Sequence, residues 1–174
     1  MASAREERLR AMVDAFTPQV GAYLQRRAYP LNDADVEELI QDVFVVAWRR
    51  LDDVPLEAEL PWLIGVARNV LNNSRRSHSR RRVLHSRLMP RRDEPSAEDH
   101  VIANEHLRVA FKSLSEPDRE LLLLHHWEGL DSTEIAQVLA IMPGAAATRL
   151  SRASARLRAN FDAFRDGHVK TNAD

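Results

Sequence analysis

Apolar residues recur along this chain at intervals of three and four, the period of an amphipathic helix. Val13, Phe16, Val20 and Leu24 predict a first helix, which Thr17-Pro18 either starts or bends. Tyr29-Pro30-Leu31-Asn32-Asp33 reads as a loop, after which Asp33 or Asp35 caps a second helix. That helix has one long apolar face: Val36, Leu39, Ile40, Val43, Phe44, Ala47 and Leu51. Its opposite face carries Asp35, Glu38 and Asp42, with Gln41 beside them; taken alone, this is an acidic face turned to water. Asp52 to Leu60 is a polar connector. Pro61-Trp62 opens a third helix with Trp62, Val66 and Val70 on one side. Arg68, Asn69, Asn72, Asn73, Arg75 and Arg76 hold much of its remaining surface.

Periodicity fades from His78 to about Ala103, where Arg, Ser and Pro dominate and an extended connector is expected. It resumes through Leu107, Ala110, Phe111 and Leu114. Ser115 then caps a helix that runs from Glu116 to Trp127 and stops at Gly129, a residue type that ends helices. Asp131 and Ser132 are both of the type that caps the next helix, and Glu134 sits at capping-box spacing from Asp131. Ile135, Val138 and Leu139 form a short apolar face. Ile141-Met142-Pro143-Gly144 breaks it, and Pro143 suits the first position of a new helix. Leu150, Ala153, Leu157 and Phe161 line one side of that helix, and Arg149, Arg152 and Arg156 repeat the spacing one residue earlier. One position is about 100° of rotation. A packed back beside a cationic front is what a helix-turn-helix needs to enter the major groove; the competing reading is a helical hairpin with a solvated basic face.

Composition narrows the choice. A chain of 174 residues holds one or two domains. No run of apolar residues is long enough to span a membrane, and the charged, periodic N-terminus is not a signal peptide. With no Cys, disulfides and thiolate metal sites are excluded, which a cytoplasmic setting suits. The net charge of -1 hides segregation: nine Arg and no acid lie between Gly65 and Arg92, whereas Asp33 to Glu59 is strongly acidic. Charge divided this way calls for two partners of opposite sign. No catalytic constellation is expected, since the seven His fall at no ligand spacing and the five Gly are scattered. His125 and His126 are adjacent and point to different sides of a helix. Neither a metal, a cofactor nor an enzyme activity is therefore expected.

The order of these parts resembles the extracytoplasmic-function sigma factors of bacteria. Glu38-Leu39-Ile40-Gln41-Asp42-Val43-Phe44 with Ala47-Trp48-Arg49 resembles one of their signatures, and Trp62 to Asn69 another. Leu114 to Glu120, Glu128-Gly129-Leu130, Glu134-Ile135-Ala136, and Gly144 with Thr148-Arg149-Leu150 are similar to their second domain. The likeness runs from about Phe16 to Phe161.

It implies an all-α protein of two small helical domains joined by a flexible linker: region 2 over residues 1–82, a linker over 83–103, region 4 over 104–166, and a frayed tail over 167–174. It also implies a dissociable subunit of RNA polymerase. Asp35, Glu38, Gln41 and Asp42 would dock on the clamp helices of β′, and region 4 would meet the β flap. Trp62, Arg68, Asn69, Asn72, Arg75 and Arg76 would read and open the −10 element, and the loop from Leu51 to Leu60 would capture a base flipped from the non-template strand. Ser132, Thr133, Thr148, Arg149, Arg152 and Arg156 would serve the −35 element. The linker would thread toward the active-site cleft, and an anti-sigma factor is an expected partner. One departure stands out. Ala145, Ala146 and Ala147 occupy positions where the family carries Thr, a β-branched residue and a basic residue, so the tip of the recognition helix lacks hydrogen-bonding side chains. Two further readings remain: a stand-alone helix-turn-helix regulator, and an interaction module that has lost DNA binding.

Overall fold

The computed structural model describes the backbone of residues 3–28, 31–85 and 104–171. Among the described residues there are seven α-helices, one 3-10 turn and no strand. The helices are α1 (Ala4–Arg27), α2 (Asp33–Arg49), α3 (Glu59–His85), α4 (Glu105–Lys112), α5 (Glu116–His126), α6 (Ser132–Leu139) and α7 (Pro143–Thr171); the turn is Leu51–Asp53. The chain divides into two compact units, Met1–Glu98 and Asp99–Asp174. No helix among the described residues is long and apolar enough to cross a membrane. Residues 86–103, most of the expected linker, lie outside the described residues.

In the first unit α1, α2 and α3 all pack on one another. Helix α1 starts well before Thr17. Ser3 and Glu6 form a reciprocal capping box, and the helix passes through Pro18 without ending. Thr17, next to the proline, donates its hydroxyl back to the Val13 carbonyl one turn earlier at 2.6 Å. Helix α2 is capped by Asn32, not by Asp33 or Asp35; Asp35 completes the capping box from the N3 position. The buried side of α1 is Met12, Val20, Tyr23 and Leu24, and that of α2 is Val36, Leu39, Val43 and Ala47. On α3 the buried stripe is Leu63, Ile64, Ala67 and Leu71 together with Val66, so Trp62 and Val70 fall at its rim instead of in the core. Two helices bear on α3, which widens its covered face and rotates it from the expected side.

In the second unit α7 is the hub, packing on α4, α5 and α6. Phe111, Leu114, Leu122, Leu123 and Ala153 form a core against which Trp127, Leu150 and Leu157 pack. Ser115 caps α5 and Asp131 with Glu134 caps α6, as the pattern predicts, and Asn104 caps α4. Glu105 accepts a hydrogen bond from Arg108, which holds its carboxyl below the ordinary range. Helix α5 closes at Trp127, and Gly129 follows with φ of 70°. Helix α6 ends on Ala140 in the left-handed region, φ 53°. Pro143 is the first residue of α7, as its missing N–H favours. That helix continues past Gly167, where a frayed tail was expected, to Thr171.

Candidate nucleic-acid interface

Three surfaces hold the candidate residues. The first is a groove of about 500 Å³ between α2 and α3. Asp35, Glu38, Asp42, Val45, Val46 and Arg49 line one wall, and Val70, Asn73, Ser74 and Ser77 the other. Buried Leu39 forms its floor. The α2 residues recur at i, i+3, i+4 and i+7, so they follow one edge of the helix. Glu38 and Asp42 are exposed. Asp35 is half-buried, and its carboxylate accepts from the Asn32 N–H at 3.0 Å, so part of it is committed to the cap. Gln41 is exposed on the same helix but does not line the groove. Val45, which lines the groove, is 45% exposed, and Trp48 is 38% exposed; both lie off the apolar face that the periodicity assigns to this helix.

The second surface is on α3. Trp62, Asn69, Asn72 and Arg76 share a helical face by their spacing. Asn69 and Arg76 are exposed and Asn72 is half-buried. The Arg50 guanidinium lies 5.7 Å from the Trp62 ring centroid, so Trp62 is half-buried beneath a cation. Arg68 and Arg75 lie one position off this face. Arg68 is half-buried, and Arg75 donates to the Arg27 carbonyl at the end of α1. The loop feeding α3 is held by its own chemistry. Leu51 and Val54 are buried, whereas Leu56 is 78% exposed.

The third surface is the helix-turn-helix. Thr133 is exposed at the start of α6 and Ser132 half-buried. On α7, Thr148 is exposed and donates its hydroxyl to the Gly144 carbonyl at 2.9 Å. Arg149 and Arg152 are exposed. Arg156 is bound within the unit: its guanidinium pairs with Asp118, whose side chain is only 12% exposed at the start of α5. The three alanines at the tip divide as well. Ala146 is fully buried and Ala145 half-buried, which leaves Ala147 as the only one exposed. The small side chain at Ala146 therefore belongs to packing inside the unit. Arg5 and Arg8 are residues the sequence reading passed over; both reach the loop after α2, and no short-range pattern announces such a contact. Among the described residues no group of three or more His, Asp and Glu is arranged to hold a metal.

Comparisons with known proteins agree with this architecture. The family model for Sigma-70 region 2 matches residues 12–81, and that for Sigma-70, region 4 matches residues 105–157. The RNA polymerase sigma factor CnrH of Cupriavidus metallidurans is 31% identical over 152 residues, 79% of this chain and 78% of its own length. The ECF RNA polymerase sigma factor SigL of Mycobacterium tuberculosis is 30% identical over 156 residues, covering 85% of this chain and 88% of SigL. A Xanthomonas campestris protein named "Probable RNA polymerase sigma factor RfaY" is 33% identical over 144 residues, 75% of this chain but only 36% of its own length. Among solved structures, the sigma factor RpoE bound to the anti-sigma factor NepR from Bartonella quintana superposes with a TM-score of 0.61 at 20% identity, covering 90% of this chain and 98% of that one. CnrH in complex with the cytosolic domain of CnrY gives 0.57 at 22% identity, over 90% and 89% of the two chains. With both regions matched in order and relatives of this identity matched over most of their length, the chain belongs to the extracytoplasmic-function group of the sigma-70 family of RNA polymerase sigma factors.

Proposed function

We propose that this sigma factor docks on core polymerase through the acidic edge of α2, opens the −10 element with α3 and the loop before it, and reads the −35 element with α6 and α7. The observation that carries the reading is the division of charge within the first unit. Glu38 and Asp42 stand exposed along one edge of α2, while Asn69 and Arg76 stand exposed on the next helix. An acidic edge with an apolar margin suits a basic helical partner, here the clamp helices of β′. Asn and Arg on α3 suit base edges and phosphates. In the second unit Arg149 and Arg152 supply base contacts, with Thr133 and Thr148 beside them and the β flap as the polymerase contact. A stand-alone regulator would need neither the groove nor its acidic edge.

An anti-sigma factor would hold the protein inactive by covering these faces; RpoE is found bound to the anti-sigma factor NepR, and CnrH to the cytosolic domain of CnrY. The protein acts in the cytoplasm, where polymerase and promoter are, and has no catalytic role of its own. The test is binding to core enzyme. Glu38→Arg and Asp42→Arg are expected to weaken core binding and flatten its dependence on salt while the thermal transition stays unchanged, because the variants lose attraction that salt would screen and both side chains are exposed. Unaltered core binding by both variants would overturn the docking assignment.

A further inference from the structure

Two arginines from the first turns of α1 grip the segment between α2 and α3. Arg8 donates from Nη1 to the Leu51 carbonyl at 3.1 Å and from Nη2 to the Val54 carbonyl at 2.8 Å. The same Nη2 meets Glu59 at 3.2 Å, at the start of α3. Leu51 and Val54 bracket the 3-10 turn, and their own side chains are buried, 1% and 4% exposed. The backbone of the loop's entry is thus fixed from two sides, by the core and by one planar guanidinium with a fork of donors. Arg5 adds a second hold. It donates to the Trp48 carbonyl at 3.0 Å, pairs with Asp52, and lies 5.2 Å from the Trp48 ring centroid. The Nε–H of Arg8 is buried without an acceptor among the described residues, a cost that its carbonyl contacts must outweigh. Beyond this held entry, Pro55, Leu56 and Glu57 stand exposed.

We infer that Arg8, assisted by Arg5, is a positioning residue for promoter opening: it fixes the loop from which Pro55, Leu56 and Glu57 meet the unpaired base of the −10 element. This rests on the reading of that loop as the base-capturing element. A short loop that must order itself when a base arrives loses binding free energy to that ordering, and a loop held beforehand does not. Arg8 touches no base, so its effect is on which base the loop accepts.

The experiment uses the full chain assembled with core polymerase and a promoter library randomised across the −10 element, with retained open complexes sequenced. The parent shows a base preference at one unpaired position. A loop control, Leu56→Gly with Glu57→Gly, removes it. Arg8→Gln is expected to lower that preference at least about fivefold, the lower end of what one base contact discriminates, with neighbouring positions and core affinity unchanged. Arg8→Lys, a point charge that cannot span both carbonyls, is expected to restore little of it. Should Arg8→Gln fail to melt cooperatively, Arg5→Gln, at a partly exposed residue, carries the test with a smaller drop at the same position. Folded arginine variants that keep the preference the loop control loses would overturn the inference, as would a uniform loss at every position. If the loop control also keeps the preference, base capture by this loop is wrong and the inference falls with it.

Discussion

At the scale of single residues, the three arginines of α7 are not equivalent. Arg149 and Arg152 are exposed nearer its N-terminus, the end by which helix-turn-helix proteins typically enter the groove. Arg156 is tied to Asp118, which is nearly buried. Arg152→Ala is therefore expected to relax −35 base preference with little change in thermal stability, since a bidentate Arg–guanine contact discriminates by roughly 1–3 kcal/mol. Arg156→Ala strands the Asp118 carboxylate and is expected to cost about 1–2 kcal/mol of stability in the second unit, with DNA affinity falling at all sequences alike. Binding to −35 point mutants, beside thermal melts, separates the two outcomes. The helix ends make a second pair. Ala140 holds the left-handed conformation without being glycine, and Gly129 holds it as glycine with open space where a Cβ would sit. Ala140→Gly is expected to gain about 1 kcal/mol and Gly129→Ala to lose about as much, read from denaturant melts. The arginine stripe and the stop at Gly129 were legible in the sequence. The Arg156–Asp118 pair was not, because 38 residues separate its members and either charge reads as solvated by itself.

At the scale of elements, short-range chemistry explains which features were legible in the chain and which were not. The caps at Asp131 and Ser115 are local motifs and stand where the pattern places them. Ser3 with Glu6 and Asn32 with Asp35 are motifs of the same kind, yet the apolar period and Pro18 drew the expected starts elsewhere. The face of α3 was misjudged because its burial is decided by α1 and α2 together, a tertiary fact. The alanine tip of α7 shows the same thing. Ala146 is fully buried, so this alanine is a packing choice and does not by itself signal lost DNA binding. Ala146→Leu is expected to destabilise the second unit by about 1–3 kcal/mol through overpacking. Ala147→Lys, at an exposed site, should leave stability unchanged and raise DNA affinity. Equal melting temperatures for the two variants would place the buried face of α7 wrongly.

At the scale of the whole molecule, a nearly neutral chain keeps its charges apart, with the acidic stretch from Asp33 to Glu59 and the arginine-rich stretch from Gly65 to Arg92 following one another in sequence. The two-unit, all-helical plan was legible from two independent sets of apolar faces and the composition break between them. The grip of α1 on the loop before α3 was not, since it joins residues 43 to 46 apart through backbone carbonyls that every sequence has. The two units are expected to act together on polymerase and promoter, which run-off transcription measures. Purified protein is added to core RNA polymerase on genomic fragments of its own bacterium. Discrete new transcripts are expected that need both core and this protein and are lost in Glu38→Arg/Asp42→Arg and in Arg149→Ala/Arg152→Ala. No protein-dependent transcript, or transcripts untouched by both double variants, would contradict it.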